Sequence, residues 1–283
     1  MIVFVNLSLA VVLLASAFYK KSANHLSYLI AISLSIVGLL TLPFKSSFFL
    51  FLVAYILLTW LLAKVINNKV LKGCGYLVWT LMSLLLILHQ APGYAPILLT
   101  EAIQLKPESQ ITTFYLNSDK VWVAWSLLMM LSNPFKSVSV DRPFSIYLTG
   151  FAVLLVPLTL LLATYLELIA WQPAFSSLIF LLVLSNLIHT CIAEELLFRG
   201  VIQTQLTRMI KGWGALLVTS LLFGLAHFAG GWSYVIVASM AGFAYGLIYL
   251  MTGQLMWAIL MHWLLNTLHL IFFTYPMLIH TSH

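Results

Sequence analysis

Long apolar runs recur along the whole chain, and most are long enough to cross a lipid bilayer as a helix. A transmembrane helix needs about 20 mostly apolar residues, which predicts about nine spans here, two of them short. The runs are Ile2–Tyr19, Leu26–Phe44, Phe48–Ile66, Tyr76–His89, Tyr147–Leu166, Phe175–Ile192, Gly214–Phe228, Ser233–Met251 and Leu255–Phe273. Another apolar piece, Val121–Leu131, is too short to cross unaided and is predicted to be tilted, re-entrant or interfacial. We therefore expect an all-α, polytopic transmembrane helix bundle of about 8–10 spans.

The composition excludes a soluble globular domain. Of the 283 residues, 63% are hydrophobic and only 7% are charged, whereas soluble domains carry about 25% charged residues. In such a chain the formal charge of +6 reflects the placement of basic loops rather than nucleic-acid binding. We expect a multi-pass integral membrane protein, with the lipid bilayer as its surroundings and no nucleic-acid partner.

Basic residues gather in a few short loops, and this distribution predicts the orientation of the chain. Short cytoplasmic loops carry an excess of lysine and arginine. All of the basic loops lie on one side of the membrane if Val121–Leu131 crosses it, and this agreement favours the crossing. The basic loops are then expected in the cytoplasm and the N-terminus outside. These loops contain Lys20 and Lys21, then Lys64, Lys69 and Lys72, and finally Arg199, Arg208 and Lys211.

Two adjacent carboxylates follow one of the apolar runs directly. Glu194 and Glu195 come just after Phe175–Ile192, and Arg199 follows four residues after Glu195. Ionisable groups at membrane depth are costly and usually face a bundle interior or a wet cavity. On a helix Glu195 and Arg199 share a face and predict an ion pair, whereas Glu194 points about 100° away. For these groups to be submerged, the helix must continue past Arg199 to about Leu206.

Polar side chains also interrupt two later apolar runs. His227 lies near the end of one run, and His262 and Asn266 share a face of the last. Each has a plain structural interpretation, either a hydrogen-bonded packing histidine or a polar contact between helices. Together with Glu194, however, they supply a base, a partner that positions water, and donors for an oxyanion, which are the groups that amide hydrolysis requires.

Small residues at Gly242 and Gly246 have the spacing that lets transmembrane helices approach closely. We interpret this pair as a packing feature rather than as part of a catalytic site.

The polar groups form motifs that resemble those of a known family, the CPBP family of CAAX proteases and bacteriocin-processing enzymes. The resemblance covers about residues 181–270, and it implies a glutamate-type intramembrane endopeptidase. The motifs occur in the same order as in the family: Glu194-Glu195-x-x-x-Arg199, Phe223-x-x-x-His227 and His262-x-x-x-Asn266.

The resemblance also implies roles for these residues and a division of the chain. By analogy, Glu194 and His227 activate water, His262 and Asn266 stabilise the oxyanion, and Glu195 and Arg199 shape the site. Residues 146–275 would form the catalytic transmembrane core. Residues 1–145 would form an N-terminal transmembrane extension with a polar loop near residues 100–120.

Different functions remain open for the same residues. The leading hypothesis is hydrolysis of a peptide bond in a membrane-associated protein or peptide, without metal or other cofactor. A second hypothesis is a zinc protease in which Glu194, His227 and His262 bind the metal and leave one coordination position open. A third is a membrane scaffold or immunity protein without catalysis, in which the polar side chains hold helices together.

Overall fold

A computed structural model describes residues 1–18, 24–131, 135 and 145–279. Lys20 and Lys21, which define one of the basic loops, lie outside these residues. The helices and strands, in chain order, are α1 (Ile2–Phe18), α2 (Asn24–Thr41), α3 (Ser46–Trp60), α4 (Lys69–Ile87), β1 (Ile97–Gln104), β2 (Ile111–Leu116), α5 (Asp119–Met130), α6 (Ile146–Tyr165), α7 (Ser177–Asn186), α8 (Ile192–Glu195), α9 (Thr204–Leu225), α10 (Trp232–Thr252) and α11 (Leu255–Phe272).

The helices confirm the prediction of an all-α polytopic bundle. Within the described part of the chain, six helices are long and apolar enough to cross a membrane, and two shorter apolar helices lie at the N-terminus. Two predicted spans are joined in one helical run of 49 residues, Ser177–Leu225. This run is interrupted at Ile210 and Lys211, whose backbone angles are not helical. The predicted continuation of the helix past Arg199 is therefore confirmed.

The segment predicted to be a polar loop is instead largely a β-hairpin. Strands β1 and β2 pair as a two-stranded sheet, and α5 begins at Asp119, just before the end of the predicted loop. Strand β2 has the sequence ITTFYL, and such β-branched and aromatic residues favour strands. The loop prediction was wrong here because it weighed polarity and overlooked this signal.

The first of two compact units comprises residues 1–100, 114–133 and 188–193. In it α5 packs against α1 and α4 and is buried along most of its length. The short apolar piece Val121–Leu131 is thus an internal helix rather than an interfacial one. Cys191, which is fully buried, also belongs to this unit, whereas Cys74 on α4 is exposed.

The second unit comprises residues 101–113, 134–187 and 194–283. Its most buried helix is α10, which packs against α6, α9 and α11. A methyl group added at Gly242 would lie 3.1 Å from Phe223, and one at Gly246 would lie 2.5 Å from Leu216. The close packing predicted from the glycine spacing is confirmed, because α9 approaches α10 where side chains are absent.

A buried hydroxyl cluster in the first unit provides a test of its packing. The Tyr55 hydroxyl bonds with Ser83 at 2.8 Å and with Ser126 at 2.7 Å, so that α3, α4 and α5 share one polar contact. We expect Tyr55→Phe to lower the free energy of unfolding by about 1–3 kcal/mol, because the buried hydroxyls of Ser83 and Ser126 lose a hydrogen-bond partner. Thermal or denaturant unfolding in detergent measures this loss.

The exposed Tyr76, also on a helix of this unit, offers the matched substitution Tyr76→Phe. That variant should unfold like the wild type. Equal stability of both variants would contradict the importance of the cluster.

Candidate active site

Glu194 and Glu195, here called the acid pair, lie on a helical run that is not a regular α-helix. Between α7 and α9 the backbone forms two π-helical segments, Leu187–Cys191 and Leu196–Gln203, on either side of α8. π-helical turns are rare and often occur at functional sites. Here they flank Glu194 and Glu195 directly, so the acid pair lies where the helix departs from its usual geometry.

Glu195 is the centre of a buried polar network. Its Oε1 accepts a hydrogen bond from Arg199 Nη1 at 2.9 Å and another from His262 Nδ1 at 2.8 Å. Glu195 and Arg199 are both 0% exposed, and His262 is 3% exposed. The ion pair predicted from the four-residue spacing is confirmed. The contact with His262 was not predicted, because only the fold brings α11 to this helix.

Arg199 is held on several sides. Its Nη2 donates to the carbonyl oxygen of Gly242 at 2.6 Å. Its guanidinium carbon lies 4.9 Å from the ring centre of Phe223 and 5.4 Å from that of Tyr245. Aromatic faces attract a guanidinium group. The cation that balances Glu195 is therefore fixed to α9 and α10 and has little freedom to move.

Both imidazoles contact one aromatic ring. The ring centre of Phe223 lies 4.7 Å from that of His227 and 5.7 Å from that of His262. Tyr245 stacks on His262 with a centroid distance of 4.7 Å. The structure thus brings His227 and His262 together around Phe223, although 34 residues separate them in the sequence.

The tautomer of His227 follows from its partner. Its Nδ1 lies 2.7 Å from the carbonyl oxygen of Phe223. A carbonyl oxygen can only accept a hydrogen bond, so Nδ1 carries the proton. In the neutral ring Nε2 is then the basic nitrogen, which is the arrangement that a general base requires.

Glu194 is only half-buried, whereas Glu195 is fully buried. Its charge acts on Arg199 and on the hydroxyl of Tyr234. The Tyr234 ring is in turn 5.9 Å from the ring of His227. Tyr234, at the start of α10, therefore lies near both predicted water-activating residues. Sequence reasoning missed it, because a tyrosine near a helix end resembles the many interfacial aromatic residues of membrane proteins.

Asn266 contacts a residue that sequence reasoning also missed. Its Nδ2 donates to Oδ1 of Asn186, the last residue of α7, at 3.0 Å. One turn earlier on α11, Trp263 Nε1 donates to the carbonyl oxygen of Val183 at 2.9 Å. The two bonds join α7 to α11. The sequence feature that could have indicated this contact is the polar residue Asn186 inside the apolar run Phe175–Ile192.

The three residues proposed as zinc ligands do not form a metal-binding cluster in the structure. In the part of the chain that the structure describes, no group of three or more His, Cys, Asp or Glu side chains is placed so that it could hold a metal ion. Glu194, His227 and His262 all lie in that part, and they are not such a group.

A comparison with models of protein families finds a match in the part of the chain that carries the candidate site. Residues 175–268 match a family model described as type II CAAX prenyl endopeptidase Rce1-like. The resemblance to the CAAX-protease family is thus confirmed for this segment, which contains all the predicted site residues: Glu194, Glu195, Arg199, His227, His262 and Asn266. Searches of curated proteins and of solved structures found no match.

The match indicates a CAAX-type intramembrane endopeptidase in general terms. With the six apolar helices, it also supports a multi-pass integral membrane protein. The role of each site residue and the division at residues 145 and 146 remain predictions.

The buried ion pair generates a stability test. We expect Arg199→Met to lower the free energy of unfolding by about 3–5 kcal/mol, because it leaves the Glu195 carboxylate buried without its cation. The double variant Glu195→Gln with Arg199→Met should recover part of that loss. Unfolding of the purified variants in detergent measures both values.

Arg208→Met is the matched control, because Arg208 is exposed on the same helical run. It should unfold like the wild type. If Arg199→Met were as mild as this control, the buried pair would not stabilise the site.

Proposed function

We propose that this protein is a glutamate-type intramembrane endopeptidase that hydrolyses a peptide bond of a membrane-associated protein or peptide. Glu194 and His227 would activate the water, and His262 and Asn266 would stabilise the oxyanion. Glu195 and Arg199 would hold the site together. No cofactor is required in this mechanism, and we place the protein in the bacterial inner membrane.

The different surroundings of the two adjacent carboxylates carry this proposal. Glu195 is fully buried, and its charge is balanced by Arg199 and shared with His262. Glu194 is half-buried and lies near Tyr234, which contacts His227. This difference supports a structural role for Glu195 and a role in proton transfer for Glu194. A carboxylate in such an apolar bundle suits the role of a general base.

The proposed reaction begins with proton transfer from water. Glu194, with Nε2 of His227 as the second basic group, takes a proton while the water oxygen attacks the carbonyl carbon of the peptide. The carbonyl π electrons move to the oxygen, which becomes an oxyanion. When the tetrahedral intermediate collapses, the C–N bond breaks and the amine leaves with the proton that was taken from water.

Oxyanion stabilisation would come from α11. Donors aimed at the developing charge lower the barrier to acyl transfer. Asn186 orients the Asn266 amide through its hydrogen bond. Glu195 accepts from Nδ1 of His262, so the ring is held in one orientation, and its donor role requires a proton on Nε2 as well. Thus Glu195 would act on the reaction through His262.

We expect Glu194→Gln to abolish cleavage without unfolding the protein, because the amide cannot take a proton from water. His227→Ala should also abolish it. Substrates would be found by comparing the membrane peptidomes of wild-type and Glu194→Gln cells, and cleavage would then be measured with purified protein in proteoliposomes.

The exposed Glu167 supplies the control Glu167→Gln, which should cleave at the wild-type rate. A folded Glu194→Gln variant that retains full activity would refute the glutamate mechanism. If instead the wild type itself cleaves no membrane peptide while its cellular role persists in Glu194→Gln, the scaffold hypothesis would be favoured.

Chelation separates the glutamate mechanism from the zinc hypothesis. We expect activity of the wild type to survive prolonged dialysis against a strong chelator, because the proposed water activation needs only protein side chains. The measurements are the residual cleavage rate and the zinc content by mass spectrometry. Activity lost on chelation and restored by added Zn²⁺ would overturn the metal-independent mechanism.

A further inference from the structure

A row of polar bridges runs along the helix that carries the acid pair and joins it to α10. Arg199 donates to the carbonyl of Gly242, and one turn later Gln203 Nε2 donates to the carbonyl of Gly246 at 3.0 Å. Thr204 then bonds the Tyr249 hydroxyl at 3.0 Å. We call the three bridges the polar ladder. It leads from Arg199, beside Glu195, toward the exposed residues that follow Thr204.

Several atoms along this ladder are buried without a hydrogen-bond partner among the described residues. They are Oε2 of Glu195, Nε of Arg199 and Oε1 of Gln203. Gln203 is only 1% exposed. The Gly246 carbonyl can only accept, so the amide nitrogen of Gln203 donates to it and the amide oxygen is left without a partner among the described residues. The unpartnered atom is therefore the amide oxygen of Gln203, which can accept a hydrogen bond but cannot donate one.

Such atoms need partners, since an unsatisfied polar group in a water-free interior is costly. Buried water molecules usually satisfy polar groups of this kind and make about three hydrogen bonds each. Two acceptors and one donor, at every fourth residue from Glu195 to Gln203, form a row of binding positions for such molecules. Water is also the co-substrate of a hydrolase, and each cleaved peptide bond consumes one molecule.

We propose that the polar ladder binds ordered water and conducts it to the acid pair, with Gln203 as the residue that binds water midway. Water enters at the end marked by Thr204 and Tyr249, beyond which the chain continues into exposed residues. This inference rests on the proposed hydrolytic function. It makes Gln203 a positioning residue for the water that Glu194 activates.

The glycine at position 246 fits this arrangement. A methyl group added there would lie 2.8 Å from Oε1 of Gln203 and 2.5 Å from Leu216. The Gln203 amide oxygen therefore lies in the space that the missing side chain of Gly246 leaves on α10. Glycine at this position also places the fully buried Leu216 close to that oxygen, so that Leu216 can report on water bound there.

The first experiment detects the water directly and needs no substrate. Hydroxyl radicals generated by an X-ray pulse in H₂¹⁸O label side chains next to bound water, and mass spectrometry locates the label. We expect ¹⁸O at Leu216 in the wild type and in Gln205→Leu, a matched substitution at an exposed site. The label should be lost in Gln203→Leu. The equally buried Leu86 serves as the reference.

The second experiment measures cleavage of a quenched fluorescent peptide based on a substrate found in the peptidome comparison. Gln203→Leu should lower kcat by at least about tenfold, which corresponds to roughly 1.4 kcal/mol in the barrier, and should leave KM unchanged. Tyr249→Phe keeps the ring and removes the hydroxyl at the entry. It should lower kcat less, and it keeps the inference testable if Gln203→Leu does not fold.

The outcomes separate the two proposals. Full activity of Glu194→Gln would overturn the glutamate mechanism. An inactive Glu194→Gln, combined with an unlabelled wild-type Leu216, would overturn only the water path. A rise in KM with unchanged kcat in Gln203→Leu would likewise contradict the path, because it would point to a role in substrate binding.

Discussion

One buried carboxylate supports the whole candidate site. Glu195 bonds both Arg199 and His262, and none of the three is exposed by more than a few per cent. A buried ion pair is costly to desolvate and is weak evidence for stability by itself. What it supplies here is position, since it ties α11 to the helix of the acid pair. Neither helix could shift without breaking the Glu195–His262 hydrogen bond in an apolar interior.

The backbone around this carboxylate is adapted to it. The π-helical segment Leu196–Gln203 directs Arg199 and Gln203 toward α10, whose carbonyls at Gly242 and Gly246 accept their hydrogen bonds. The glycines therefore serve both close packing and polar recognition. Their missing side chains let α9 approach, and the same approach brings the carbonyls within reach of the buried donors.

The sequence predicts those parts of the site that depend on spacing within one helix. The Glu195–Arg199 pair follows from a four-residue separation, and the long helix follows from continued apolar character. Residue spacing within one helix does not predict which helices contact each other. The Glu195–His262 bond and the Asn186–Asn266 bond depend on how the bundle closes, which no local pattern encodes. The β-hairpin was missed for another reason, because its strand signal lay inside a segment judged by its polarity.

The unequal burial of the two cysteines gives the folded protein a built-in reporter. Cys191 is inaccessible, whereas Cys74 is exposed on α4, beyond the basic residues Lys69 and Lys72. A thiol-reactive dye would therefore attach to the native fold at a single place, and Cys191 would react only once the first unit opens. With a membrane-impermeant dye, Cys74 would report which side of the bilayer the basic end of α4 faces.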